Sequence, residues 1–285
     1  MREKIKLYKG KVTIWFVDEE YVKGRGFIRH GYFHEKDGGP DFDKRIVSNT
    51  GATGMLDKPA LVPWAVKMMG LYLQKNWNPK KVNTELLKNQ LIKAAKKEFR
   101  RITEEGQEIG TETHGWVDQH IKFELGKGKK PKMPENEKVR NGVNGFLGWE
   151  SENKVKYIGS ELMVYSIKYD FVGRLDTKAI VNSKLTILDL KTCNMWKKDE
   201  KKPDGFARDR NGNLIKTPVY DSQRYQVAGY RMAEEEENGK IYDGDRIILR
   251  LDKEFGEFDP VQLNEYQNDR KGFLSCLDLK KRKRN

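Results

Sequence analysis

The sequence predicts an α/β fold: a helix, three antiparallel strands, a second helix and a further strand, in that order. Three observations carry this. Residues 171–191, FVGRLDTKAIVNSKLTILDLK, hold two runs of strand-forming residues with Asn182-Ser183 between them as turn residues. A third such run, LMVYSIKYDF at 162–171, precedes them. Patterned helices stand on either side, TELLKNQLIKAAKKEFRRITEEG from Thr84 and DSQRYQVAGYRMAEEEE from Asp221, and DRIILRL at 245–251 reads as a buried strand.

Taken from the N-terminus, residues 3–17 and 25–36 read as strands or hairpin material, interrupted by Gly24, Gly26 and Gly31 and closed by a DGGP turn. His30 and His34 lie in this material and read as surface strand residues, since their i, i+4 spacing suits a metal pair on a helix rather than on a strand. GATG at 51–54 lacks Walker spacing. The segment around Pro59 and Pro63, with Trp64, Val66, Met68, Met69, Leu71 and Leu73, reads as a core helix.

In the helix from Thr84, Leu86, Leu87, Leu91, Ala94, Ala95 and Phe99 make an apolar stripe, and six lysines and arginines line the rest. Those cations are either a solvated face or a surface that tracks a nucleic-acid backbone. Gly106 and Gly110 break the pattern. GTETHGWVDQHIKFEL at 110–125 then forms a helix with His114, Val117, Ile121 and Leu125 on one face. A charged loop at 126–138 and an apolar stretch at 143–149 follow. After the hairpin comes a polar excursion. The helix capped by Asp221 places Gln226 and Tyr230 as i, i+4 partners, and LKKRKRN ends the chain as a basic tail.

With 285 residues the chain suffices for one large domain, and its net charge of +13 favours an anionic partner such as nucleic acid. No run approaches the ~18 apolar residues of a membrane span, and MREKIKLYKGKV lacks the apolar stretch of a secretory signal. Two cysteines, Cys193 and Cys276, make neither a disulfide framework nor a four-ligand metal site. A reducing, cytoplasmic setting is expected.

The chemistry concentrates in the hairpin. If it is centred on Asn182-Ser183, Val181 faces Lys184, and counting back puts Asp176 opposite Asp189, with Lys191 on the same face. Paired aspartates on adjacent strands make a hard oxygen site suited to Mg²⁺ or Mn²⁺. A nearby lysine can position water and stabilise developing charge. This chemistry points to metal-dependent phosphodiester hydrolysis. The alternative is a surface Asp–Asp–Lys cluster without a metal, in which two close carboxylates repel unless Lys191 and water relieve them.

The order G-x-x-D (Gly173, Asp176), D-x-K (Asp189 to Lys191) and Q-x-x-x-Y (Gln226, Tyr230), with G-T-x-x-H upstream (Gly110 to His114), resembles the RecB-like branch of the PD-(D/E)XK nucleases. The segment ending KPALVPWA is similar to one in phage-type RecB-like exonucleases and the mitochondrial genome maintenance exonuclease. The resemblance covers roughly residues 47–252. It implies a restriction-endonuclease-like α-β-β-β-α-β core, a central mixed sheet flanked by helices, at 85–285, with an N-terminal elaboration of strands and a helix at 1–84.

It further implies that Asp176, Asp189, His114 and the Leu190 carbonyl ligate Mg²⁺ or Mn²⁺, that Lys191 orients or deprotonates the water, and that Gln226 and Tyr230 hold the substrate or the lysine. Glu161 stands where relatives carry a glutamate before the first strand, with a role outside the ligand set. Several relatives add four cysteines for an iron–sulfur cluster; two cysteines exclude that set. The implied activity is a DNA exonuclease of recombination, repair or processing in a bacterium or phage-infected cell. Its partners would be DNA, single-stranded or with single-stranded ends, and a helicase or annealing protein, and no membrane. A structure-specific endonuclease and a non-catalytic DNA-binding or recombination scaffold are the other readings.

Overall fold

The computed structural model describes residues 1–199, 201–240 and 244–283. The chain divides into two compact units, one of residues 1–56 with 113–285 and one of residues 57–112. The boundary expected at residue 84 lies inside the second unit.

The first unit opens with β1 (Arg2–Leu7), β2 (Val12–Val17), β3 (Glu20–Val22), β4 (Gly26–Ile28), β5 (Gly31–Lys36) and β6 (Gly39–Ser48). Strands form within 3–17 and 25–36, and His34 lies in β5, but His30 falls in the bend between β4 and β5 rather than in a strand. Ser48 then takes the Gly51 N–H at 3.1 Å and starts a short helix, α1 (Asn49–Thr53).

The second unit contains α2 (Leu61–Asn76) and most of α3 (Glu85–Glu124). Two expectations are corrected here. No residue of α2 is buried, and Leu61, Val62, Val66 and Leu71 are exposed. Periodicity shows which face a helix can bury, but 56 residues holding little more than two helices enclose little. Nor does the chain break at Gly106 and Gly110, because α3 runs unbroken for 40 residues. An interior glycine costs only about 1 kcal/mol relative to alanine, which a long helix absorbs.

Back in the first unit, α4 (Glu137–Glu152) leads into β7 (Val155–Ser166), β8 (Phe171–Val181) and β9 (Lys184–Cys193). The strand expected at 162–171 therefore begins and ends earlier. Then come α5 (Asp221–Asn238), β10 (Asp245–Asp252), β11 (Phe258–Gln262) and α6 (Tyr266–Arg282). The residue capping α5 is Tyr220 rather than Asp221; its N–H donates to Gln223 Oε1 at 3.0 Å. The basic tail is helical as far as Arg282, and Arg284 and Asn285 lie outside the described residues.

Among the described residues nine strands form one mixed sheet, in the order β1-β2-β5-β6-β8-β9-β10-β11 with β7 also paired to β8. The β6–β8 and β9–β10 pairs are parallel and the others antiparallel. Helices flank it. Ile187 of β9 packs with Val227 of α5 and Phe273 of α6, whereas its neighbour Leu188 packs with Val117 and Ile121 of α3 and Phe146 of α4. Successive side chains of one strand feed opposite cores. Among the described residues no helix is long and apolar enough to cross a membrane.

One strand sets the position of everything that follows. β7 pairs along the whole of β8, from Val155↔Val181 to Ser166↔Phe171. The other edge of β8 is shared: β6 holds Phe171 and Val172, and β9 holds Thr177 to Val181. Residues 173–176 fall in the fork between the two partners.

Candidate metal centre

The hairpin register follows the turn. Asn182 and Ser183 have φ of 50° and 70°, as a two-residue type I′ connection requires. Val181 faces Lys184, and pairing runs to Thr177↔Leu188. The next step would be Asp176↔Asp189, and there the ladder stops. By the alternation of an antiparallel pair, the Leu190 N–H should meet Leu175. It donates instead to Asp176 Oδ2, at 2.8 Å. The carboxylate takes the place of a strand, and β9 continues along β10.

Across the other edge of β8, Ser160 pairs with Thr177 and Leu162 with Leu175, so Glu161 stands opposite Asp176. Its backbone is left-handed, φ 51°, inside a strand. At the same level β8 changes cores. Phe171 and Leu175 pack under α5 and α6, but Ala179 and Val181, at the same parity, pack under α3 and α4. A side chain at this crossover belongs to neither apolar layer, which leaves room for carboxylates.

His114 arrives from α3. Val117 and Ile121, three and seven residues on, are buried in the sheet's core, and the helical repeat brings His114 to the same face. One ligand atom each from His114, Glu161 and Asp176 lies within 4.8 Å of the others. His114 Nδ1 is 3.7 Å from Asp176 Oδ2. Asp189 is wholly buried, and the Lys191 ammonium stands 2.5 Å from its Oδ2. Apart from that ammonium, neither Asp189 oxygen has a hydrogen-bond partner among the described residues. Behind the group, Gln226 Nε2 donates to the Tyr230 hydroxyl at 2.6 Å.

The electrostatics follow from burial. Asp189 is pushed up to about 6 by burial, against the pull of Lys191 and with the push of Asp176. Asp176 is raised by burial too, opposed by Lys191 and by the Leu190 N–H. Glu161 rises to about 7, through burial and then Asp176. His114 falls to about 4 because burial and the Lys191 charge disfavour the imidazolium. For Lys191 burial works downward, but Asp189 and Asp176 outweigh it and raise the ammonium. Burial lifts Tyr230 well above its ordinary value, with both aspartates adding to the effect, so it keeps its proton. The centre thus has too many carboxylates for its one lysine, and its imidazole is neutral with a lone pair to give.

The residues expected from the sequence, His114, Asp176, Asp189, Leu190, Lys191, Gln226 and Tyr230, lie in one neighbourhood, but of the expected ligands only His114 and Asp176 are in the group of ligand atoms within 4.8 Å of one another; Asp189 lies outside that group, against Lys191. Glu161 differs from its expected role, since it stands among the candidate ligands rather than outside them. The signal lay in the register: once β7 pairs antiparallel with β8, position 161 falls opposite 176. Sequence reasoning also missed Asn49 and Arg174, which line a cavity beside Tyr230.

No family model and no curated protein matches the chain. Among solved structures, one titled "Crystal structure of SSO0001" is similar to it at 15% identity and a TM-score of 0.28, over 61% of this chain and 75% of that chain.

Proposed function

We propose that this protein is a Mg²⁺- or Mn²⁺-dependent DNA exonuclease of the RecB-like PD-(D/E)XK branch. The observation that carries the reading is the convergence of His114, Glu161, Asp176, Asp189 and Lys191 where β8 changes partners. The element order from α4 through β7, β8, β9 and α5 to β10 supports a restriction-endonuclease-like core. The net charge of +13 supports a polyanionic substrate.

The donor set fits a hard divalent cation. Carboxylate oxygens with one neutral imidazole suit Mg²⁺ or Mn²⁺, and of the buried Asp189 oxygens only Oδ2 has a partner, the Lys191 ammonium, which leaves Oδ1 without one among the described residues. His114, Asp176, Asp189 and Glu161 would hold the ion, with the Leu190 carbonyl beside them. Such an ion neutralises phosphodiester charge and acidifies water at the site. The chain's own groups do the rest. Lys191 keeps its proton beside Asp189 and offers a cation to a phosphate oxygen or the attacking water. Gln226 fixes the Tyr230 hydroxyl, and Tyr230 walls the site toward α5.

The test is digestion of end-labelled DNA with and without EDTA, beside Lys191→Ala. Loss of activity in EDTA and in the variant is expected; no activity of the wild type on any DNA sinks the enzyme reading. Closed circular DNA separates an exonuclease, which leaves it uncut, from a structure-specific endonuclease. A scaffold that only binds DNA need not bind Mn²⁺, which calorimetry decides. DNA with single-stranded ends is the proposed partner, and a helicase or annealing protein the proposed companion.

A further inference from the structure

The grouped ligand atoms of the candidate centre come from three elements: Asp176 from β8, Glu161 from β7 and His114 from α3. The first two are set by one ladder, in which Ser160 pairs with Thr177 and Leu162 with Leu175. His114 has no ladder. Val117 and Ile121 hold its helix on the sheet by apolar packing. Such packing is non-directional, so it presses two elements together without fixing how far one slides along the other. A ligand must be held to within about 0.5 Å of its working position, which asks for a contact with direction.

Asp118 supplies one. It lies one helical turn past His114, on the same side of α3. Its Oδ1 accepts the Ser160 hydroxyl at 2.6 Å. Its Oδ2 accepts the ammonium of Lys122, one turn further on, also at 2.6 Å. Ser160 directly precedes Glu161. It stands opposite Thr177, which in turn pairs with Leu188, a residue packed under α3. Cross-strand partners share a face, so the Ser160 side chain points at the helix. One hydrogen bond thus ties the neighbour of one ligand to the helical turn of another. Asp118 itself stands outside the group of candidate ligand atoms, and both its oxygens are occupied. Lys122 has a second effect. At the Glu161 carboxyl the Asp118 charge works upward and the Lys122 charge downward, so an anion can stand near this ligand with its charge offset.

We infer that Asp118 is a positioning residue of the metal centre: bonded to Ser160 and held by Lys122, it sets His114 on α3 against Glu161 on β7 and fixes the spacing of the ligands without touching the ion. The inference rests on the reading of this site as a divalent-cation centre. A polar bond that only stabilised the fold would change the melting temperature alone. This one controls cation affinity as well, and it does so through His114.

The probe is Mn²⁺, titrated calorimetrically into the full chain at a temperature where circular dichroism shows every variant folded. Ser160→Ala and Asp118→Ala should each weaken binding about tenfold. Ser160→Thr, which keeps the hydroxyl, should bind like wild type. The double alanine variant should be no weaker than either single one, because both remove the same bond. In a His114→Ala protein, adding Asp118→Ala should weaken binding no further. Wild-type affinity in Ser160→Ala and Asp118→Ala, or a loss on Asp118→Ala that persists in full without His114, overturns the inference and leaves the metal centre standing. Crystal structures of the metal-free wild type and Ser160→Ala separate the two readings. The approach of His114 Nδ1 to Asp176 Oδ2, 3.7 Å, should change by more than about 0.5 Å in the variant. If wild type binds no Mn²⁺ and this distance still changes, the metal reading fails and Asp118 remains the residue that places His114; an unchanged distance overturns the inference too. A wild type that binds Mn²⁺ with the expected dependence on Asp118 and cuts no DNA removes the nuclease reading alone.

Discussion

Glu161 faces Asp176 across the β7–β8 ladder with a left-handed backbone, φ 51°. A non-glycine residue there costs about 1–2 kcal/mol, and the chain adds a carboxyl group driven up to about 7 by burial and by Asp176. Strain and repulsion at one residue are what a ligand position tolerates and a structural one does not. Glu161→Gly should therefore raise the stability of the metal-free protein by about 1 kcal/mol and weaken Mn²⁺ binding by at least tenfold. Glu161→Gln should weaken Mn²⁺ binding with little gain in stability. Thermal melts in EDTA and calorimetric titrations read both; unchanged Mn²⁺ affinity in the two variants would remove Glu161 from the candidate ligands.

The metal-free site should lose stability as pH rises. Asp189 sits at about 6 against an ordinary 3.8, Glu161 at about 7 against 4.5, and Asp176 is raised as well. At these three carboxyl groups the folded state holds more protons than the unfolded chain in this range. Their contribution is full below about pH 4 and is lost as pH climbs through 6 and 7. His114, lowered from 6.5 to about 4, acts in the opposite sense: its contribution is present above about 6.5 and lost as pH falls toward 4. Three groups oppose one, so the net slope is downward. In EDTA, melting between pH 4 and 7.5 should fall more steeply for wild type than for the Glu161→Gln, Asp189→Asn double variant. Parallel curves would contradict this. The same protons must leave when a cation binds, so Mn²⁺ titrations near pH 6 should release more protons than those near pH 8.

The parts of this site that sequence reveals are those fixed by short-range geometry. Asn182-Ser183 sets a turn, the turn sets a register, and the register holds to Thr177↔Leu188. The helical repeat brings Gln226 and Tyr230 together in the same way. Pairings between distant segments leave no such trace. Val47 and Ser48 of β6 lie beside Phe171 and Val172 of β8, and nothing in either run's pattern names the other. That pairing creates the fork, so Asn49 and Arg174 stayed invisible as a pair until the sheet was assembled. The apolar residues of α2 mislead for a related reason: amphipathic spacing says that a face can be buried, and burial needs a second surface to cover it.

The glycine of the G-x-x-D motif is required by contact. A Cβ on Gly173 would come within 2.7 Å of Tyr230 Cε1, 3.0 Å of its Cδ1 and 3.2 Å of Asn49 Cβ. The ring is 2% exposed and its hydroxyl is held by Gln226, so it has nowhere to retreat. Gly173→Ala should destabilise by about 1–3 kcal/mol and displace Tyr230, lowering DNA digestion at least tenfold. Adding Tyr230→Leu removes the clash, so the double variant should regain stability without regaining activity. Recovery of both in the double variant would show that the ring matters only as packing.

The hairpin turn offers a change that touches stability alone. Asn182 has local partners: its Oδ1 takes the Lys154 N–H at 3.0 Å and its Nδ2 donates to Asn153 Oδ1 at 2.8 Å. Ser183, exposed and at φ 70°, has the same left-handed backbone, and among the described residues its side chain makes no hydrogen bond. Glycine removes a left-handed penalty of about 1–2 kcal/mol and returns part of it, about 0.4–1 kcal/mol, as added freedom of the unfolded chain. Ser183→Gly should thus gain roughly 0.5 kcal/mol and melt about 1–2 °C higher, with Mn²⁺ binding unchanged, because Asp176 and Asp189 lie at the far end of the ladder. Asn182→Ala should lower the melting temperature, since it keeps the left-handed backbone and loses both hydrogen bonds. A Ser183→Gly protein that melts lower, or that binds Mn²⁺ more weakly, would mean that the turn does more than set the register.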